Sequence, residues 1–185
     1  MARYGMVIDL RTCIGCGACV VACTEENSLH LGVEVPLGAR THIENIEIGR
    51  FPSVHWYFYH SICRHCEDPP CVHVCPTGAS YKTEDGVVLI DYDRCIGCKY
   101  CMVACPYDAR YMNEQLSTPD KCTFCIHRVR EGLEPACVAA CPTHSRVFGD
   151  LDDPGSEVSR LVARGAVPVG ASHGTRPKVY VVPPE

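Results

Sequence analysis

The 185-residue chain predicts an α+β fold made of two small cysteine-built modules, a β-hairpin set between them, and a short C-terminal helix and strand. Two observations predict the modules. Sixteen cysteines fall into four tight groups of four, so much of the interior must be organised by sulfur. The groups alternate between a compact and a stretched spacing, and the alternation occurs twice, as an internal duplication would give. A third observation, Gly/Pro and Asp-Gly turns flanked by β-branched and aromatic runs, predicts the hairpins.

The first group is Cys13, Cys16, Cys19 and Cys23 in CIGCGACVVACT, and the third is Cys95, Cys98, Cys101 and Cys105 in CIGCKYCMVACP. Both follow the Cys-x2-Cys-x2-Cys-x3-Cys run of bacterial ferredoxins, in which three thiolates hold one cluster and the fourth reaches another. Gly15, Gly17 and Gly97 lie inside these loops, where the chain must bend tightly around a cluster. The closing Cys-x3-Cys of each run fits the first turn of a helix leading away. The second group is Cys63, Cys66, Cys71 and Cys75, and the fourth is Cys122, Cys125, Cys137 and Cys141; they share CV-x2-CPT and are stretched versions of the same design. Pro76, Pro106 and Pro142 follow the last cysteine of three groups and end those runs.

Disulfides would suit scattered cysteines in a short secreted chain, and zinc would be satisfied by two Cys-x2-Cys pairs per ion. Neither explains four thiols repeated four times at these spacings. The expected cofactors are therefore four 4Fe–4S clusters. Between Cys75 and Cys95, Asp85-Gly86 and the apolar VVLI predict a hairpin short enough to close the second and third groups into one module. The first and fourth groups are left to pair. The crossing rule then assigns Cys13, Cys16, Cys19 and Cys141 to cluster 1, and Cys122, Cys125, Cys137 and Cys23 to cluster 2. It assigns Cys63, Cys66, Cys71 and Cys105 to cluster 3, and Cys95, Cys98, Cys101 and Cys75 to cluster 4.

The expected organisation is two ferredoxin-like double-cluster modules. Residues 1–23 with 107–150 form module 1, and residues 63–106 form module 2. Residues 24–62 form a β-hairpin insertion, from THIENIEIG and SVHWYFYHS around Gly49-Arg50-Phe51-Pro52. Trp56, Tyr57, Phe58 and Tyr59 are expected to pack over a cluster rather than to relay electrons. Residues 151–185 form a tail: a helix with Asp153 at the N-cap and Pro154 at N1, an apolar face of Val158, Leu161 and Val162, an end at Gly165, and a terminal VYVV strand.

Other function classes are excluded by what the chain lacks. A net charge of −5, from 17 basic and 22 acidic residues, offers no basic stripe for nucleic acid. No apolar run approaches the roughly 20 residues of a membrane span, and the first residues carry neither a secretory core nor a twin-arginine pair. No Cys-x2-Cys-His, GxGxxG or P-loop occurs, so no haem attachment or nucleotide site is expected, and no catalytic residue is expected. His60, His65, His73 and His127 lie near the cysteine groups and are expected to hydrogen-bond sulfur or carbonyl groups rather than to ligate metal.

The segments CRHCEDPPCVHVCPTGAS, CPYDARY, KCTFCIHRVREG, PACVAACPT and GTRPK resemble the four-cluster subunit of membrane-bound molybdopterin oxidoreductases of the dimethyl sulfoxide reductase family. The resemblance covers nearly the whole chain and favours the polysulfide and thiosulfate reductase branch. It implies two partners: a catalytic subunit with a molybdenum or tungsten bis-pterin, and a quinol-reactive integral membrane subunit. It also implies that cluster 1 lies toward the catalytic subunit and the cluster of the third group toward the membrane. Some relatives lack one cysteine of the third group and carry a three-iron cluster; Cys95, Cys98 and Cys101 are all present here. Association with the membrane would then come through a partner, on the periplasmic side by co-export with the catalytic subunit, or on the cytoplasmic side. Arg176, Pro177 and Lys178 are expected to dock a partner. The rival readings are an electron-transfer subunit of a hydrogenase or formate dehydrogenase, or a free polyferredoxin.

Overall fold

The computed structural model describes residues 2–31 and 40–184. The chain opens with strand β1 (Tyr4–Asp9) and helix α1 (Ala18–Leu31), followed by a long antiparallel ribbon of β2 (Thr41–Arg50) and β3 (Ser53–Ile62). Short elements then alternate: α2 (Pro70–His73), the hairpin β4 (Ser80–Lys82) and β5 (Val88–Ile90), α3 (Tyr100–Val103), the hairpin β6 (Tyr111–Asn113) and β7 (Thr118–Asp120), α4 (Ile126–Val129) and α5 (Ala136–Ala139). The last part contains β8 (Arg146–Asp150), α6 (Glu157–Ala163), β9 (Val167–Pro168), a 3-10 turn and β10 (Val179–Val182). No helix among the described residues is long and apolar enough to cross a membrane.

A four-stranded sheet of order β8-β1-β10-β9 ties the two ends of the chain together. Strand β1 pairs in parallel with β10 and antiparallel with β8. Its residues Met6, Val7 and Ile8 are completely buried, because both faces of the strand are covered. Met6 and Ile8 join an interior shared with Cys19, Cys63, Cys122 and Cys137, while Val7 faces Val158 and Ala166 under α6. A strand buried on both faces reads as a continuous apolar run, so GMVID gives no alternation to announce it.

Two expectations about the tail are corrected. Helix α6 starts later than expected: Ser156 is its N-cap, accepting the Ser159 N–H at 3.2 Å, whereas Asp153 closes the preceding turn by accepting from Gly155 at 2.8 Å. The GTRPK segment, expected to reach toward a partner, is largely turned inward. Thr175, Pro177 and Lys178 are buried, and Gly174 and Arg176 are exposed. The Lys178 ammonium donates to the Gly86 carbonyl and lies 3.5 Å from the Glu67 carboxylate, so it is used in joining the tail to the β4–β5 turn.

A second tie is polar. The Asp120 carboxylate accepts from Arg40 at 2.9 Å, Tyr92 at 2.7 Å, Tyr111 at 2.5 Å and the Lys121 N–H at 2.7 Å. Arg40 also donates to Asn27 on α1, whose amide holds the Cys23 carbonyl at 2.6 Å. Both members of the Arg40–Asp120 pair are buried. Burial alone would lower the Arg40 pKa, but Asp120, Tyr92 and Tyr111 reverse that and raise it. Asp120→Ala would strand the guanidinium and is expected to cost about 3–5 kcal/mol. Anaerobic denaturation would measure it, and an unmoved midpoint would show that the pair adds nothing.

Candidate iron–sulfur sites

The first Cys-x2-Cys loop of each group is built alike. The residue before the second cysteine is left-handed in each: Gly15 at φ 66°, His65 at 43°, Gly97 at 67° and Phe124 at 55°. The compact groups use glycine there. A Cβ at Gly15 would also run into the Phe58 ring, which lies over the first loop. The stretched groups place His65 and Phe124 in a conformation that costs L-residues roughly 1–2 kcal/mol. These two rings stack on each other with centroids 3.7 Å apart and planes 22° apart, so the two strained positions brace one another. The stretched groups then enter α2 and α5 behind Pro69 and Pro135, which places Cys71 and Cys137 in the same position of each helix.

The structure brings cysteines of different groups together. The thiols acting electrostatically on Cys122 are Cys23, Cys137 and Cys125, and those acting on Cys66 are Cys63, Cys71 and Cys105. Cys19 is acted on by Cys137, Cys13 and Cys141. Cys75, Cys95, Cys98 and Cys101 line one cleft with Ile90, Ile96 and Arg110. All sixteen cysteines are free thiols. Among the described residues no three His, Cys, Asp or Glu side chains converge on a single-ion site. A cubane distributes its four thiolates over four irons and so takes a wider cage than zinc, which gathers its sulfurs at about 2.3 Å from one centre.

Burial divides the groups. Cys23, Cys122, Cys125 and Cys137 are buried, as are Cys63, Cys66 and Cys71, with Cys105 half-buried. Cys16 and Cys98, in the compact first and third groups, are the two exposed cysteines. Burial pushes the Cys23 thiol up to about 12 and Cys66 and Cys125 up to about 11. Such thiols ionise when a metal replaces the proton. The two CPT motifs act oppositely. Burial opposes ionisation of Cys141, but the hydroxyls of Ser145 at 3.2 Å and Thr143 at 3.7 Å, with backbone N–H groups, outweigh it and bring the thiol down to about 7. Cys75 is lowered in the same way by the Ser80 N–H at 3.3 Å and Thr77 at 3.7 Å.

The four histidines take different roles. Arg146 donates to His60 Nδ1 at 2.6 Å, so the ring carries its proton on Nε2 and donates it to Cys13 Sγ at 3.2 Å. Burial, with Arg146 and Arg64 close by, holds His60 down to about 3 and therefore neutral. The Val88 N–H donates to His65 Nδ1 at 3.1 Å. His73 and His127 instead meet Asp68 and Glu26. Of the aromatic run, Tyr57 packs on the sulfur-rich interior, while Trp56 is exposed beside Cys13.

Buried cations were not anticipated from the sequence. Arg64, Arg110, Lys121 and Arg146 are all enclosed, and Arg64 Nε, Arg110 Nη1 and Arg146 Nε and Nη1 have no hydrogen-bond partner among the described residues. The charges bearing on Arg110 are Cys71, Cys101 and Cys63, and those bearing on Arg146 are Cys137, Cys19 and Cys122. Orphaned buried guanidinium groups facing thiols are what anionic thiolate-bound clusters require, so the residues fit the group.

Comparison with known proteins gives the same answer. A family described as a 4Fe-4S dicluster domain matches residues 54–151, and a second family of that description matches residues 12–79. Together they correspond to two dicluster domains and four 4Fe–4S clusters. The chain is 46% identical to the B subunit of the tetrathionate reductase of Salmonella typhimurium, over 96% of this chain and 71% of that protein. It is 45% identical to the B subunit of the sulfite dehydrogenase of Allochromatium vinosum, over 99% of this chain and 84% of that protein. It is 41% identical to the B component of the polysulfide reductase of Wolinella succinogenes, over 98% of this chain and 94% of that protein. Loops, sulfur-rich interior, buried cations and relatives agree: this protein belongs to the iron–sulfur subunits, with paired 4Fe–4S dicluster domains, of the molybdopterin oxidoreductase family.

Proposed function

We propose that this chain conducts single electrons through four 4Fe–4S clusters between a quinol-reactive integral membrane subunit and a catalytic subunit carrying a molybdenum or tungsten bis-pterin. The carrying observation is the distribution of exposure: the exposed cysteines, Cys16 and Cys98, belong to the compact groups, while the stretched groups are mostly enclosed. A wire needs two accessible ends and a dry middle. The proposed ligand sets are Cys13, Cys16, Cys19 and Cys141; Cys122, Cys125, Cys137 and Cys23; Cys63, Cys66, Cys71 and Cys105; and Cys95, Cys98, Cys101 and Cys75. Residues 1–23 with 107–150 and residues 63–106 are the proposed modules, with 24–62, which carries the β2–β3 hairpin, as the insertion between them and 151–185 a tail.

When bound, each cluster supplies reversible one-electron capacity, at a potential set by charge, hydrogen bonds to sulfur and exposure. The chain supplies those three settings: His60 donates to Cys13, Thr77 and Ser80 bear on Cys75, Thr143 and Ser145 bear on Cys141, and the interior excludes water from the stretched groups. The chain itself performs no substrate chemistry in this reading. It joins the membrane through its partner, on the periplasmic side after export alongside the catalytic subunit.

The test is anaerobic purification of the chain with its partners. Four cubanes predict about 16 iron atoms per chain, reduction by dithionite, and co-purification with a molybdopterin subunit. The chain alone should reduce no polysulfide, tetrathionate or sulfoxide. Stoichiometric zinc, or turnover by the isolated chain, would overturn the reading.

A further inference from the structure

Arg146, Lys121 and Arg110 are 2%, 1% and 5% exposed, and none forms an ion pair with a carboxylate among the described residues. Buried charges of this kind are costly unless a countercharge lies beside them. Each of the three bears electrostatically on cysteines of two different proposed ligand sets. Arg146 is acted on by Cys137 and Cys122 of the second set and by Cys19 of the first. Lys121 is acted on by Cys63 and Cys71 of the third set and by Cys122 of the second, and its ammonium is held by the carbonyls of Val88 and Cys122, the latter at 2.8 Å. Arg110 is acted on by Cys71 and Cys63 of the third set and by Cys101 of the fourth, and lines the cleft of the fourth set. The two arginines are also at matching places, each five residues beyond the last cysteine of its group (110 − 105 and 146 − 141).

We propose that Arg146, Lys121 and Arg110 are positioning residues for electron transfer, one at each junction of the wire: between clusters 1 and 2, 2 and 3, and 3 and 4. This rests on the ligand sets given above. A fixed cation between two anionic centres stabilises the reduced form of both, because each added electron meets the same positive charge at short range in a poorly screened interior. It therefore raises the two flanking potentials together and offsets the repulsion between electrons on neighbouring clusters. Water, which would otherwise screen that repulsion, has little access to the enclosed groups.

The experiment uses the complete cluster-loaded chain in anaerobic potentiometric titration followed by low-temperature electron paramagnetic resonance. Arg110→Gln should lower the potentials of two clusters enough to change their reduced-to-oxidised ratio at least tenfold at fixed potential, about 59 mV for one electron. Arg146→Gln should lower a different two, and Lys121→Gln should lower one from each pair. Equal shifts in all four clusters, or no shift, with iron content intact, would overturn the proposal. If a glutamine variant does not retain its clusters, Arg110→Lys and Arg146→Lys decide: retained clusters with both potentials within that tenfold support the charge, and failure of the lysine variants as well overturns it. Wild-type protein without four cubanes would instead mean that the ligand sets are wrong, a separate outcome read from iron content and spectra.

Discussion

Replacing Cys98 by serine is expected to leave a three-iron cluster in the fourth ligand set and to disable exchange with quinol, while the other three clusters survive. Cys98 is one of two exposed cysteines, and Cys75, Cys95 and Cys101 around it are only half-buried. The iron it holds is thus the one least protected from loss. In the proposed ligand sets the other twelve cysteines share no cluster with Cys98, so their clusters have no reason to change. The surface around this group is apolar: Ile96, Tyr100 and Val103 are 67%, 63% and 88% exposed. Such a patch suits a hydrophobic partner surface. A one-electron potential displaced by more than about 59 mV changes occupancy more than tenfold, so quinol-driven turnover should fall at least that far. Catalysis driven by a dye that feeds the catalytic subunit directly should persist. Spectroscopy of Cys98→Ser reads the cluster, and paired quinol and dye assays read the position. Loss of dye-driven catalysis with quinol reduction intact would reverse the assigned ends.

Removing the iron should unfold most of the chain. Cys19, Cys63, Cys122 and Cys137 are members of the main interior, packed with Met6, Ile62, Phe124 and Val179. Helices α2, α3, α4 and α5 have four residues each, and strands β4 to β7 have three. Neither length is stable in water without tertiary support. Metal binding at sites that do not exist in the unfolded chain contributes directly to folding. Anaerobic chelation should therefore abolish near-ultraviolet circular dichroism and most amide-exchange protection, with the long β2–β3 ribbon and β1 sheet the last to go. An apo chain with native protection throughout would show that protein packing alone holds the fold.

Legibility followed the chemistry. Sulfur spacing was readable because a cubane restricts how thiolates can be strung along a chain, and the turns at Gly49 to Pro52 and at Asp85-Gly86 announced the ribbon and the β4–β5 hairpin. Strand β1 was not readable, because Met6, Val7 and Ile8 are all buried and carry no alternation. The left-handed loop residues were half legible: Gly15 and Gly97 signal the conformation, while His65 and Phe124 adopt it against their own preference and are held there by stacking. Asp153-Pro154 predicts the start of the C-terminal helix, but Ser156 caps it, since Asp153 is already engaged with Gly155. Arg110, Lys121 and Arg146 escaped notice because such residues ordinarily lie at the surface, and only the neighbouring thiols explain their burial.

The pairing of β1 with β10 sets an order of events during synthesis. Strand β1 leaves the ribosome long before its partner β10, with Met6 opposite Val179 and Asp9 opposite Val182. Translation runs at roughly 5–20 residues per second, so the N-terminal segment waits many seconds for its partner. The β4–β5 hairpin and the neighbouring second and third cysteine groups emerge and can close long before that. A chain that stops between residues 142 and 178 retains every cysteine yet lacks the strand that seals its sheet. Iron can therefore be gathered early, but β1 is locked into its sheet only once β10 has been made.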